Sequence, residues 1–327
     1  MEKEKITQLE DTIRRDYSNI AGIVVRKDGE TVWERYFGGC SEASRLHVFS
    51  VTKSVVSVLV GIAIDRGHIR SVDQKVADFF PEAAARNGSL REVTLENLLT
   101  MTVPYKYRLA PYKQYFTSDD WVEFSLGLVG EGRKVGRFRY APLIGPDILS
   151  GILVRATGRR VLEFAKENLF APLGIEVEKS IVFGSKEEQM AFNRATNISG
   201  WAADPQGMNA AAWGLTLSAA DMAKLGQLLL NGGMWNGARI VSEGWVARST
   251  SEHARWKQRD LAYGYLWWAG VGGGRAYAAM GDGGNAIYVD PARGMVVAIA
   301  SIFAPRAKDR IEFIKEQVEP LWGNDPA

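Results

Sequence analysis

Three histidines and one cysteine are all that 327 residues offer of the side chains most used to hold transition metals. Cys40 standing alone excludes an internal disulfide and any cysteine-based cluster. His47, His68 and His253 show no His-Glu-x-x-His pattern and no carboxylate at ligand spacing, so no metal is expected. A charge excess is missing too. Lys plus Arg number 40 against 38 for Asp plus Glu, which gives no support to a surface for nucleic acid or an anionic membrane. The longest charge-free apolar stretch, 55–64, is too short to cross a bilayer. The opening Met-Glu-Lys-Glu-Lys has neither the apolar core nor the cleavage site of a signal peptide. These absences predict a cytoplasmic protein with no nucleic-acid or membrane partner, either a monomer or a small homo-oligomer.

What is present is ordinary globular composition, 46% hydrophobic and 24% charged, at a length where a single core stops growing. Two lobes, or one domain carrying an insertion, are expected. Ile6, Leu9, Ile13 and Tyr17 have helical spacing. Strands at 21–25 and 31–37 flank Asp28-Gly29, a strong hairpin signal because glycine accepts positive φ. Residues 51–66 are β-branched yet too long for an ordinary strand, and Gly67 follows, so they read as a buried helix. Helices at 94–99, 118–128, 147–156 and 161–169 fill the middle, and Ser218-Ala-Ala-Asp221 caps another that runs to Leu230. Strands at 261–268, 275–280, 286–289 and 295–302 precede an amphipathic helix at 306–322. The pattern predicts an α+β fold, an antiparallel sheet built from both chain ends and flanked by helices. Residues 1–70 and 211–327 would form that lobe and 71–210 a mainly helical one, with the active site at their junction.

Ser50 stands at the entrance of the buried helix and Lys53 three residues later on the same face. A serine hydroxyl needs a base. A lysine among valines is desolvated, which pushes its pKa down towards a useful range. The bland alternative is an N-cap serine beside a surface lysine. Tyr140 is either a packing residue or a phenolic proton relay, and His47 either packs locally or carries protons. The aromatic run that includes Tyr105 and Tyr112 is either loop filler or a pocket wall. Met280-Gly-Asp-Gly-Gly-Asn285 precedes a strand, where glycines allow either a plain turn or close approach of a ligand. It starts no helix, so it is not a dinucleotide fingerprint.

In their order, Phe49-Ser-Val-Thr-Lys-Ser54, Leu98-Leu-Thr-Met-Thr102, Phe138-Arg-Tyr140, Trp213-Gly-Leu-Thr216 and Gly281 to Val289 with Asp290-Pro291 resemble the serine β-lactamase-related, penicillin-binding-like hydrolases. The nearest branch holds class C β-lactamases, family VIII esterases and 6-aminohexanoate-dimer hydrolases. The resemblance implies a β-lactamase/transpeptidase-like fold, no cofactor, Ser50 as acylated nucleophile, Lys53 as its base and Tyr140 as proton relay. It implies an oxyanion hole from the backbone N–H groups of Ser50 and Asn285. Tyr105, Tyr112, Pro142, Trp213, Asp282, Gly283 and Gly284 would line the substrate site. The family's Tyr-x-Asn is here Tyr140-Ala-Pro142, and proline offers no donor. Asp282 stands where the family carries a basic residue, and a carboxylate cannot attract the carboxylate of a penicillin or a D-alanyl terminus. The expected function is therefore hydrolysis of a small ester, amide or short peptide-like substrate, poor on penicillins and D-alanyl peptides. Its rival is a binding or regulatory protein that keeps the fold without turnover.

Overall fold

Strands from the two ends of the chain meet in one antiparallel sheet. The computed structural model describes residues 2–130 and 134–322. The strands are β1 (Ile20–Lys27), β2 (Glu30–Tyr36), β3 (Ala254–Trp256), β4 (Leu261–Tyr263), β5 (Trp268–Ala269), β6 (Tyr277–Gly281), β7 (Asn285–Asp290) and β8 (Met295–Ser301), in the order β2-β1-β8-β7-β6-β5-β4-β3. The closing pair is β1 with β8, from Ile20 opposite Ser301 to Lys27 opposite Met295. The elements form an antiparallel sheet flanked by helices, the α+β arrangement expected.

Alternation along β7 separates the two faces of the sheet. Ile287 and Val289 pack towards Gly226 of the helix Ala219–Leu230. Tyr288 points the other way and donates its hydroxyl to Glu319 at 2.5 Å. The C-terminal helical run, 310–322, covers that second face together with α1 (Glu2–Asp16).

On the first face lies α2 (Val51–Asp65), with every residue from Val51 to Ala63 buried. Its valines cost up to about 0.7 kcal/mol each in helix propensity. Full burial of each side chain contributes about 1.5–3 kcal/mol. Packing wins, and the helix forms where propensity alone favours a strand. Two of its polar residues are paired: Thr52 Oγ1 accepts from Leu215 N at 3.3 Å, and Ser54 Oγ donates to Leu266 O at 2.6 Å.

Several expected elements are corrected. The strand at 261–268 is two strands, interrupted because the Gly264 backbone presses on Ser249, where a Cβ would stand 2.2 Å from a carbonyl oxygen, and because Leu266 adopts φ 60°. The closing helix starts at Arg310 rather than 306, capped by the Asp309 carboxylate, and contains a π turn at Ile314–Val318. The helix expected from Ser118 starts at Trp121, since Asp120 accepts from Glu123 N and is the actual cap. Strand β3 and the short parallel pair Lys179–Val182 with Gly200–Ala203 have no counterpart in the sequence reading. Among the described residues no helix is long and apolar enough to cross a membrane, and no group of three or more His, Cys, Asp or Glu is placed to hold a metal.

Candidate active site

Phe49 carries φ 49°, in the left-handed region that a bulky side chain rarely adopts. Such strain persists where the surrounding structure enforces it. Here it turns the chain so that Ser50 caps α2 with its hydroxyl free of any capping bond. One turn on, Lys53 is 1% exposed. Its Nζ lies 2.8 Å from Ser50 Oγ, 2.7 Å from Pro142 O and 2.9 Å from Ala212 O. Two backbone carbonyls thus claim two N–H bonds, and the third tetrahedral direction faces the serine. As an ammonium the group donates along all three directions. As a neutral amine it turns a lone pair to the Ser50 hydroxyl. Burial lowers its pKa to about 7, with Asp282 and then Asp147 pulling the other way.

Tyr140 hydrogen-bonds with Ser50 as well. Its phenol is pushed up to about 12 by burial, and a hydrogen bond with Ser50 opposes part of that rise. At neutral pH it therefore holds its proton. The ring stacks on Trp256 at 6.0 Å and lies 5.6 Å from Lys53 Nζ. Pro142, which offers no amide, still serves the site through its carbonyl on Lys53.

The edge of β6 supplies the next groups. Strand β5 pairs only with Tyr277 and Ala278, so from Ala279 onward the outer edge of β6 is open. Gly281 O accepts from Gly284 N at 3.2 Å, which turns the polar groups of Gly281 towards β7. Asp282 opens the turn, and its carbonyl accepts from Asn285 Nδ2 at 2.8 Å, which leaves its N–H for the open edge. A Cβ on Gly281 would stand 2.2 Å from Val48 O and 3.2 Å from Ser50 N, so only glycine lets the strand come this close to Ser50. Among the described residues neither the Ser50 nor the Asp282 N–H has an acceptor.

Asn285 does not fit the oxyanion role expected of it. It pairs with Gly281 inside the ladder, and its side chain is used up on Asp282 O at 2.8 Å and Ser301 N at 2.9 Å. The amide that faces the site is that of Asp282. Gly283 and Gly284 are corrected likewise. With φ 78° and 88° they form the hairpin tip and lie against Phe303 and the Arg310 guanidinium, away from Ser50.

A cavity of about 290 Å³ opens over Ser50, walled by Phe49, Tyr112, Phe116, Trp213 and Phe303, with Asp282 at its rim. Tyr112 and Trp213 thus lie where expected. Tyr105 does not: it is buried, stacks on Tyr107 at 5.5 Å and crowds Gly145, so it is filler. A larger cleft of about 960 Å³ lies beyond Tyr140, lined by Phe138, Trp256 and several cations, but Ser50 is not on its wall. Of the two, the smaller cavity is the one with Ser50 on its wall. His47 is structural: its Nδ1 bonds Asn193 Oδ1 at 2.9 Å, its Nε2 accepts from Gly214 N at 2.9 Å, and burial lowers its pKa to about 3.

The sequence reading missed Asp147, which opens the helix Asp147–Thr157 and is 1% exposed. Its Oδ2 accepts from Tyr115 OH at 2.6 Å and its Oδ1 from Ala211 N at 2.8 Å. Burial raises its pKa to about 7. The only sequence signal was an aspartate in a helix's first turn, which ordinarily means helix-dipole compensation.

Comparison with known proteins places these features. The Beta-lactamase family model matches residues 9–318. The 6-aminohexanoate-dimer hydrolase of Paenarthrobacter ureafaciens is 26% identical over 301 residues, 84% of this chain and 70% of that protein. A family VIII carboxylesterase superposes with TM-score 0.75 at 18% identity, covering 98% of this chain and 97% of that one. A penicillin-binding protein homologue from Caulobacter crescentus superposes with TM-score 0.73 at 18% identity, with the same coverages.

Proposed function

Since this chain belongs to the beta-lactamase family and is a serine hydrolase, we propose that it cleaves carboxylic esters or amides through an acyl-enzyme on Ser50. The observation that carries this reading is the Lys53 amine, held 2.8 Å from Ser50 Oγ by two backbone carbonyls and with its pKa lowered to about 7. A base with a pKa near the working pH combines a useful deprotonated fraction with adequate basicity.

In this reading Lys53 takes the hydroxyl proton as Ser50 Oγ bonds to the substrate carbonyl carbon. The negative charge gathers on the former carbonyl oxygen, between the N–H groups of Ser50 and Asp282. Such donors contribute because they already point where charge develops. Collapse breaks the bond to the leaving alcohol or amine, which takes the Tyr140 proton, and the proton held by Lys53 then restores the phenol. Water attacks the acyl-serine by the same route in reverse and releases the acid.

The cavity walls suit an apolar acyl chain, and Asp282 at the rim disfavours an anionic one. Short esters are the first substrates to test. The 6-aminohexanoate dimer joins them because a relative is named for hydrolysing it.

Intact-mass analysis of the protein quenched during turnover of a short activated ester should show one added acyl group, mapped to the peptide that contains Ser50. An unmodified protein, or an adduct elsewhere, would replace this reading with that of a fold kept for binding alone. With a chromogenic cephalosporin, turnover is expected to be at least about 100-fold slower than with the ester, since two lost contacts of about 1.4 kcal/mol each give that factor. Comparable rates would show that Asp282 does not repel the lactam carboxylate.

A further inference from the structure

Lys53 can act as a base only while its two carbonyl partners stay in place, and both belong to loops. Pro142 precedes the helix opened by Asp147, and Ala212 follows the residue whose N–H that carboxylate accepts. One side chain therefore joins the two segments that hold the amine. The same carboxylate accepts from Tyr115, whose hydroxyl in turn accepts from Trp213 Nε1 at 3.3 Å. Tyr115 lies on the short helix Tyr112–Phe116, whose two end residues wall the cavity.

We infer that Asp147 is a positioning residue: its buried carboxylate fixes the carbonyl cradle of Lys53 and supplies the negative charge that keeps the amine basic enough to work. This rests on the reading of Lys53 as the base of Ser50. A buried acid is costly unless its oxygens are bonded. Both oxygens of Asp147 are bonded here, one to a backbone amide next to a lysine ligand and one to Tyr115, on the helix whose ends wall the cavity. A helix-dipole partner on an exposed turn would need neither bond. The charged groups acting on Lys53 are Asp282 and Asp147. Those acting on Asp147 are Asp204 and Lys53. Asp204 is buried too but is occupied by the amides of Trp121, Gln206 and Met208 and does not act on Lys53, and Asp282 stands on the rim, so Asp147 is the buried carboxylate that acts on the amine.

The test is the pH profile of kcat on a short neutral ester. Asp147→Ala removes both the anchor and the charge, and kcat should fall about ten-fold or more, within the range that a misplaced base costs. Asp147→Asn can still accept from Ala211 and should recover most of kcat, with the acid limb moved down by about half a pH unit or more because the anion is gone. If either variant fails to fold, Tyr115→Phe decides: losing that donor favours protonated Asp147, so the limb should move the same way by less. A purely structural role would lower the melting temperature and leave the limb where it is. Unmoved limbs, or kcat within two-fold of wild type in Asp147→Ala, would overturn the inference. If wild type forms the Ser50 adduct but its own profile has no acid limb near neutrality, the assignment of Lys53 as base fails instead.

Discussion

Ser50→Ala is expected to give a folded protein whose kcat/KM on a short ester is lower by about 10⁴-fold or more, the scale seen when the nucleophile of a cooperating set is removed. The fold should tolerate the change. Ser50 makes no side-chain capping bond to α2, so helix stability loses little with the oxygen. No neighbouring hydroxyl can take over. Thr52 Oγ1 is engaged with Leu215 N, and Ser54 Oγ donates to Leu266 O on another side of the helix. The Ser50 and Asp282 N–H groups proposed for the oxyanion and the cavity remain, so a small rate above water should persist. Single-turnover hydrolysis beside a thermal melt separates the outcomes. A melting temperature close to wild type with activity within ten-fold would mean that the ester is cleaved without this serine.

The residues proposed to carry this chemistry were partly legible from spacing alone. Ser50 and Lys53 sit at an interval that one helical turn closes, and the helix was readable despite its valines because its length and Gly67 outweighed propensity. Tyr140 was legible only through the order of motifs, since nothing local distinguishes it from a packing tyrosine. Asn285 was misassigned for a specific reason. Which amides of a strand face outward depends on pairing parity, and that is set by the turn bond from Gly284 N to Gly281 O, which sequence does not display. Tyr105 failed differently: an aromatic run looks the same whether it walls a pocket or fills a loop, and only the crowding at Gly145 decides. Asp147 was out of reach because its partners, Tyr115 and Ala211, lie 32 and 64 residues away. On the fold side, strand ends set by distant contacts, such as the break at Gly264, were invisible for the same reason.

Lys53→Met should separate catalysis from stability more sharply than any other single change. Activity is expected to fall about 10³-fold, near the middle of the range for losing a general base, because the other titratable group against Ser50 among the described residues, Tyr140, holds its proton at neutral pH. The acid limb near pH 7 should vanish with it. Stability should respond differently at each end of the pH scale. The folded-state pKa of Lys53 is lowered to about 7 by burial, below its ordinary value of 10.5. Between those values the unfolded chain binds more protons than the folded one, so wild-type stability rises with pH across that window. Below about pH 7 the folded protein carries the whole cost of a buried ammonium, and above about 10.5 it carries none. Methionine has no such cost at any pH, although it leaves Pro142 O and Ala212 O without their donor, a constant loss of about 1–3 kcal/mol for each carbonyl left unsatisfied. The variant should therefore compare best with wild type at pH 6 and worst at pH 10, with the difference in unfolding free energy changing steadily between them. Chemical denaturation at both pH values measures this directly. A difference that stays constant with pH would mean that Lys53 titrates near its ordinary value in the folded protein. It would then be an ammonium at neutral pH, and the base that activates Ser50 would have to be sought in another group.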